Sequence, residues 1–181
     1  EYITFTVSND YLNIAPNKIV TTLTGNGAVG YNGDYASEGM SISYSATDLT
    51  FSSSFMIGNS STQVSDHWFG PVVYDFVSPY DDDFSNVNTI AQTNPAVYSE
   101  YDYTTTFNDD GNPTKLGVEV KQNTYAWNKT GYDNFIIMEY EIINKSGSSL
   151  SNLYAGIIND WEIDYFFSGS SYYVYNAAYV D

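Results

Sequence analysis

Apolar and polar side chains alternate along much of this chain, and a two-residue period is typical of β-strands, whose successive side chains point to opposite faces. The alternation is clearest in residues 3–7, 49–57, 97–107 and 116–121. In the segment FIIMEYEII (135–143) both faces are apolar up to the glutamates, which predicts a central strand. Convincing helical periodicity does not appear, so the pattern predicts an all-β protein.

Turn-forming residues separate the alternating segments. NDDGNP (108–113) lies between two of them, and its Asp-Gly pair predicts a hairpin. NKSGSSLSN (144–152) and FSGSSY (167–172) have the same Ser-, Gly- and Asn-rich character. About ten short strands at this spacing predict a single domain over residues 1–181, folded as an antiparallel β-sandwich or jelly roll.

Composition and charge narrow the range of partners. Among the 181 residues there are 22 acids and five lysines but no arginine, so the formal net charge is −17. Such a chain repels phosphate backbones and anionic lipid surfaces, and we therefore expect no nucleic-acid partner and no membrane insertion. The absence of cysteine excludes thiol catalysis and thiolate metal sites. Without a signal peptide, and with strand-like segments at both ends, the chain is expected to be a processed or excised piece of a larger secreted protein.

The acidic segments suggest a site for a divalent cation. Ca²⁺ binds about six to eight hard oxygens, which carboxylates and amide oxygens on loops supply. The turn 108–112 is one candidate, although none of the acidic segments has the ligand spacing of an EF-hand loop. The alternative is a solvated acidic surface without metal. The calcium ligands that we predict are Asp81, Asp82, Asp83, Asp160, Glu162 and Asp164.

The segment GIINDWEIDYFF (156–167) also raises the question of catalysis. Retaining glycoside hydrolases use two carboxyl groups about 5–5.5 Å apart, and jelly-roll glucanases place them on a strand of the form E-x-D-x-E. Glu162 and Asp164 match the first half of that pattern, but phenylalanine stands where the second glutamate is needed. A divergent glycoside hydrolase is therefore a distant alternative. His67 is the only histidine, and no G-x-S-x-G nucleophile motif accompanies it.

Aromatic residues are candidates for contacts with a ligand. The chain has 19 tyrosines, 10 phenylalanines and three tryptophans, and exposed rings can stack on sugars. Core packing and cross-strand pairing are the other explanation for these residues. The aromatic residues that we predict to form a binding platform are Trp127, Tyr172 and Tyr173.

The first alternating segment is a candidate for assembly. Lysine and proline commonly protect an exposed strand edge, but residues 1–15 contain neither. An alternating segment of this kind either pairs within its own sheet or adds to the open edge of a neighbouring subunit. The predicted assembly strand comprises Tyr2, Ile3, Phe5 and Val7.

DNFIIMEYEIINKSGSSLSNLYAGIINDWEID (133–164) resembles a β-sandwich region of secreted bacterial proteins, found after the catalytic domain of some subtilisin-like proteases. The segments GNGAVGYNG (25–33), MIGNSSTQVSD (56–66) and GVEVKQNTYAW (117–127) are similar to earlier strands of that region. The resemblance implies an extracellular accessory module and transfers no catalytic residue. We therefore expect a non-catalytic structural module of a surface or fibre assembly or of a larger secreted protein. The alternative is a carbohydrate- or protein-binding accessory domain of a secreted enzyme.

Overall fold

The computed structural model describes residues 11–30, 42–44, 47–67, 83–161, 164–168 and 171–175. Every regular element within these ranges is a β-strand. The strands are β1 (Tyr11–Ile14), β2 (Ile19–Thr24), β3 (Ala28–Val29), β4 (Ile42–Tyr44), β5 (Thr47–Ser60), β6 (Gln63–Asp66), β7 (Ser85–Thr93), β8 (Tyr101–Asn108), β9 (Val118–Ala126), β10 (Ile136–Asn144), β11 (Tyr154–Trp161), β12 (Asp164–Ser168) and β13 (Ser171–Tyr175).

Two antiparallel sheets contain all of these strands except the last two. The first sheet has the order β1-β2-β3-β5-β11; β4 pairs with β2 and β5, and β6 pairs with β5. The second sheet has the order β10-β9-β8-β7, while β12 and β13 form a separate hairpin. The predicted all-β, antiparallel architecture is confirmed.

The hydrophobic core lies between the two sheets. Phe55 from the first sheet packs against Phe84 and Phe107, with ring centroids 6.1 and 6.0 Å away, and those two rings are 4.9 Å from each other. A second cluster joins Leu23 of β2 to Tyr103 of β8. Because the alternating apolar residues of both sheets meet in this layer, the protein is a β-sandwich.

Among the described strands, the segment 135–143 lies at the edge of its sheet and not at the centre, where its pattern predicts it. Its strand β10 ends the second sheet and pairs with β9 alone among the described strands. Tyr140 on the inner face stacks on Phe55 at 4.8 Å, but the outward-facing Ile137 is 46% exposed. An apolar residue on the outer face is buried only if another layer covers that face, and sequence alternation does not report such a layer.

The hairpin between β8 and β9 is confirmed, but its connection is longer than a two-residue Asp-Gly turn. Asn108 pairs with Glu119, so residues 109–117 form the loop. Asp109 is 1% exposed, and its carboxylate accepts backbone N–H groups at the far end of this loop. The loop therefore closes around a buried aspartate.

No helix long and apolar enough to cross a bilayer occurs in the described ranges.

The surface carries scattered ion pairs. Four of the five lysines have carboxylate partners within 3.3 Å, and these pairs are Lys18–Asp133, Lys115–Asp110, Lys129–Glu100 and Lys145–Glu119.

Candidate functional site

One side of the sandwich, formed by β10 and β11 and called the open side below, leaves inward-facing apolar residues exposed. Ile142 of β10 stands opposite Val120, and Ile157 of β11 stands opposite Phe55. Val120 and Phe55 are 0% and 3% exposed, whereas Ile142 and Ile157 are 37% and 44% exposed. Because directly paired residues share one face of a sheet, both isoleucines point toward the interior and yet remain uncovered.

The open side arises because the first sheet is wider than the second. At the opposite side of the sandwich β1 contacts β7, while β10 and β11 are the last strands of their sheets. Within the described ranges no strand pairs with the outer edge of β10 or of β11. The inner face of β11 thus extends beyond the second sheet.

A shallow apolar hollow of about 450 Å³ lies on the outer face of the first sheet, where β5 pairs with β6 and β11. Met56, Val64 and Ala155 are among the residues that line it. At Gly156, which also lines the hollow, an added Cβ would meet nothing within 4 Å. The hollow is therefore separate from the inward-facing residues of the open side, which are on the other face of the same sheet.

The outer face of the second sheet carries a separate feature, a cleft of about 630 Å³. Tyr98, in the loop before β8, stands at one wall and is 77% exposed. Its ring lies edge-on to that of Tyr125, with centroids 5.7 Å apart and an angle of 70° between the ring planes. The floor residues on β8, β9 and β10 are Thr104, Lys121, Asn123, Tyr125, Glu139 and Glu141.

The loop that carries Tyr98 is held by one buried carboxylate, that of Asp102, which is 4% exposed. Its Oδ2 accepts the backbone N–H groups of Val97 and Tyr98 at 2.6 and 2.8 Å, and its Oδ1 accepts that of Ser99 at 2.9 Å. Burial opposes ionisation, but the hydrogen bonds from the Ser99 hydroxyl and these N–H groups outweigh it, so the pKa of Asp102 lies below its ordinary value. The ionised carboxylate thus fixes the backbone beneath Tyr98.

A hydrogen-bonded chain orders the polar floor of the cleft. Tyr125 Oη donates to Glu139 Oε2 at 2.7 Å, and Asn123 Nδ2 donates to the same oxygen at 3.4 Å. Thr104 Oγ1 in turn donates to Asn123 Oδ1 at 3.0 Å. The hydrogen bond to Glu139, followed by burial, raises the pKa of Tyr125 to about 12. Tyr125 is therefore a neutral donor at physiological pH, and its orientation is set by Glu139.

Lys121 is the remaining cation of the chain, and it lies on the floor of the cleft. It stands opposite Glu141 on the neighbouring strand, but no ion pair within the described residues includes it. Asp102, Glu139 and Glu141 also line the cleft, which therefore contains three carboxylates and one ammonium group. Glu139 and Glu141 lie on the floor with Lys121, whereas the Asp102 carboxylate is buried and accepts hydrogen bonds from the loop.

Most of the predicted calcium ligands cannot be placed as side chains. Asp81, Asp82 and Glu162 lie outside the described residues, and only the backbone is described for Asp160 and Asp164. Asp83 is described: its Oδ2 accepts the amide of Asn112 and the backbone N–H of Asp66, both at 3.3 Å. The described part of the chain contains no cluster of three or more His, Cys, Asp or Glu side chains suited to a metal. Calcium binding stays a prediction.

The turn 108–112, the weaker candidate for calcium, uses its carboxylates within the protein. Asp109 accepts backbone N–H groups, and Asp110 binds Lys115 Nζ at 2.7 Å. Asn112 reaches across to β6, where its amide donates to the carbonyl of Val64 at 2.6 Å. These contacts give the turn a structural role that needs no cation.

The predicted binding and assembly residues fall in different places. Trp127 follows β9, is half-buried, and its ring lies 6.2 Å from that of Phe135, away from the residues that line the cleft. Tyr172 and Tyr173 belong to β13, for which only the backbone is described. The predicted assembly strand lies outside the described residues; its members are Tyr2, Ile3, Phe5 and Val7.

The only histidine, His67, directly follows β6. Its ring nitrogens are 3.2 and 3.3 Å from Asn26 Nδ2, and its backbone N–H donates to Ser54 Oγ at 3.1 Å. These contacts tie the residue after β6 to the β2–β3 turn. We derive no catalytic step from them.

Sequence reasoning missed the two buried aspartates and the cleft. The alternation over residues 97–107 predicts Asp102 on the polar face of a strand and Val97 on the apolar face, but Asp102 is buried and Val97 is 70% exposed in the loop before β8. The sequence does contain a signal for the buried Asp102. This aspartate comes three residues after Ser99, at the end of the turn-like segment 94–100, where a carboxylate is suited to accept backbone N–H groups. The cleft has no such signal, because its residues come from three strands and a loop.

Comparison of this chain with protein-family models, curated proteins and solved structures yields no match. The resemblance to the region that follows subtilisin-like catalytic domains therefore stays a prediction. Function has to be argued from the two surfaces themselves.

Proposed function

We propose that this chain is a non-catalytic structural module of an extracellular assembly, and that its open side accepts a β-strand from a neighbouring subunit. The observation that carries this proposal is the exposure of Ile142 and Ile157, which face the interior of the sandwich. A strand added beside β10 would extend the second sheet over the inner face of β11. It would thereby cover the part of the core that the described residues leave exposed.

The energetic reason is the burial of apolar surface together with backbone pairing. Complete burial of an isoleucine side chain is worth about 1.5–3 kcal/mol, so covering the exposed part of each of the two isoleucines contributes about 1 kcal/mol. An added strand also satisfies the backbone groups along the unpaired edge of β10. This combination of main-chain pairing and side-chain pockets is the usual mode of strand addition.

The segment that best fits the open side is residues 1–7 of a second copy. Its Ile3, Phe5 and Val7 alternate with polar residues, so one face is suited to cover Ile142 and Ile157. Geometry favours a neighbouring subunit as the donor. A strand beyond β10 lies about four strand spacings, or about 19 Å, from β7, whereas the four Cα–Cα steps from residue 7 to the start of β1 reach about 14 Å at most.

The extracellular location is supported by composition and by the resemblance. The net charge of −17 and the abundance of Ser, Thr, Asn and Tyr support a secreted module. The absence of cysteine excludes a disulfide between subunits, and the non-covalent pairing that the open side offers does not need one.

Deletion of residues 1–8 and the substitution Ile157→Asp test the two partners of this contact separately. The intact chain should form oligomers or fibres in light scattering and electron microscopy, and both variants should remain folded by circular dichroism yet fail to assemble. A synthetic peptide of residues 1–8 should bind the deletion variant but not the same variant carrying Ile157→Asp. Val87→Asp is the matched control, because Val87 is 49% exposed on β7 at the other side of the sandwich.

Two results would contradict the proposal. An intact chain that stays monomeric at high concentration and does not bind the peptide would exclude strand donation. Peptide binding that Ile157→Asp and Val87→Asp weaken equally would show that the open side is not the acceptor. If the deletion variant unfolds, the segment pairs within its own subunit, and the donor assignment is wrong.

A further inference from the structure

We propose that the cleft on the outer face of the second sheet is a binding site for a neutral oligosaccharide, a function separate from assembly at the open side. The residues that carry this inference are Tyr98 and Tyr125, which provide aromatic surface, and Lys121, Asn123, Glu139 and Glu141, which provide polar groups.

Size and chemical character agree with this class of ligand. The cleft has a volume of about 630 Å³, within the range of small-molecule sites, which runs from about 300 to 1,000 Å³. A sugar ring presents C–H groups on its faces and hydroxyl groups around its rim. Tyrosine rings accommodate the first, while carboxylate, amide and ammonium groups pair with the second.

The site is ordered before any ligand arrives. Asp102 holds the loop beneath Tyr98 through three backbone N–H groups, and Ala126 N–H donates to Ser99 Oγ at 3.2 Å, which joins this loop to the end of β9. On the floor, Glu139 fixes the orientation of Tyr125. Because these groups need no rearrangement, little ordering entropy opposes binding.

Charge and geometry favour a neutral saccharide over other ligands. The whole chain carries −17, so it repels acidic polysaccharides, and the three carboxylates that line the cleft add to that repulsion. The described residues contain no cluster of carboxylates suited to a metal ion, and Lys121 places a positive charge on the floor of the cleft. An extended peptide lying over β8 and β9 would find no unpaired backbone, since both strands have neighbours on both sides; among the floor strands only β10 has an edge that no described strand pairs with.

Binding of defined oligosaccharides to the full-length chain tests the proposal. Cellohexaose, xylohexaose and mannohexaose are titrated by calorimetry and followed by ligand-observed NMR, with hexagalacturonate as the acidic probe and spermidine as the cationic probe. At least one neutral hexasaccharide should bind with a Kd below about 1 mM. Tyr98→Ala should weaken that binding about tenfold or more, since the exposed ring supplies stacking surface.

Matched variants separate the cleft from general surface effects. Tyr132→Ala is the control, because Tyr132 is 56% exposed but lies against Phe135, outside the cleft; it should leave binding unchanged. Glu141→Gln, which keeps the shape of the side chain, should weaken binding without altering the melting temperature. The proposal is wrong if no neutral hexasaccharide binds, if Tyr98→Ala and Tyr132→Ala act equally, or if hexagalacturonate or spermidine binds more tightly than the neutral chains.

Discussion

Replacement of Asp109 by asparagine should destabilise the protein far more than the same replacement at its neighbour Asp110. Asp109 is 1% exposed, and its two carboxylate oxygens accept three backbone N–H groups. Leu116 donates to Oδ2 at 2.6 Å, Val118 donates to Oδ1 at 2.8 Å, and Gly117 lies 3.1 Å from both oxygens. These hydrogen bonds hold the whole β8–β9 loop.

The magnitude follows from the atoms that are lost. An asparagine keeps one acceptor oxygen, so either Leu116 or Val118 faces an NH₂ group and leaves a buried donor unsatisfied, at a cost of about 1–3 kcal/mol. The two remaining hydrogen bonds lose their charge assistance, which amounts to about 1 kcal/mol each. We therefore expect Asp109→Asn to lower the free energy of unfolding by about 3–5 kcal/mol, a large fraction of the stability of a single domain.

Urea denaturation followed by near-UV circular dichroism measures this difference. Asp109→Asn should shift the midpoint strongly to lower urea without changing the slope m, because the change acts on the stability of the native loop. Asp110 is exposed and contacts Lys115 on the surface, so Asp110→Asn should shift the midpoint only slightly. Equal midpoint shifts for the two variants would refute the assignment of Asp109 as the residue that holds the loop.

Three further measurements test other features of the fold and one tests calcium. The pKa of Asp102 is lower in the folded state than in the unfolded state, so its contribution to stability is complete above the unfolded pKa of about 3.9 and is lost as pH falls through the folded pKa. The free energy of unfolding should therefore decline less steeply in acid for Asp102→Asn than for the wild type. Parallel pH profiles of the two proteins would contradict this. Gln122 is fully buried, and neither end of its amide has a hydrogen-bond partner in the described structure. Gln122→Met should therefore raise the free energy of unfolding, measured by urea titration, by about 1–2 kcal/mol. A loss of stability would show that the amide is hydrogen-bonded. Gly27 has φ +86°, and a Cβ there would lie 3.0 Å from the ring of Phe107. Gly27→Ala should therefore lower the thermal midpoint, with a loss of more than about 1 kcal/mol in the free energy of unfolding. An unchanged midpoint would count against a strained position. If calcium binds the native state, EDTA should lower the melting temperature and calcium should restore it better than magnesium, since a hundredfold excess over Kd stabilises by about 2.7 kcal/mol; an unchanged melt in EDTA would exclude the site.

The sequence by itself determined the class of fold, and its net charge predicts which classes of partner the chain repels. Alternation in segments such as 116–121 requires one face to be buried, and that requirement alone specifies strands and inward residues such as Val118 and Val120. Turn residues placed the β8–β9 and β10–β11 connections. Net charge acts at long range and does not depend on fold, so it could be used without a structure.

The tertiary structure alone decided which faces are covered and where the candidate sites lie. Ile142 and Val120 are equally apolar and point to the same face. Only the sheet order shows that Val120 lies on a central strand and Ile142 on an uncovered edge strand. Asp109 is held by backbone N–H groups, which every residue except proline possesses, so its partners leave no mark in the sequence. Tyr98 and Glu139 are distant along the chain and meet across one cleft because β8, β9 and β10 pair side by side. Alternation specifies the face on which a side chain lies, whereas the packing of whole sheets determines what that face meets.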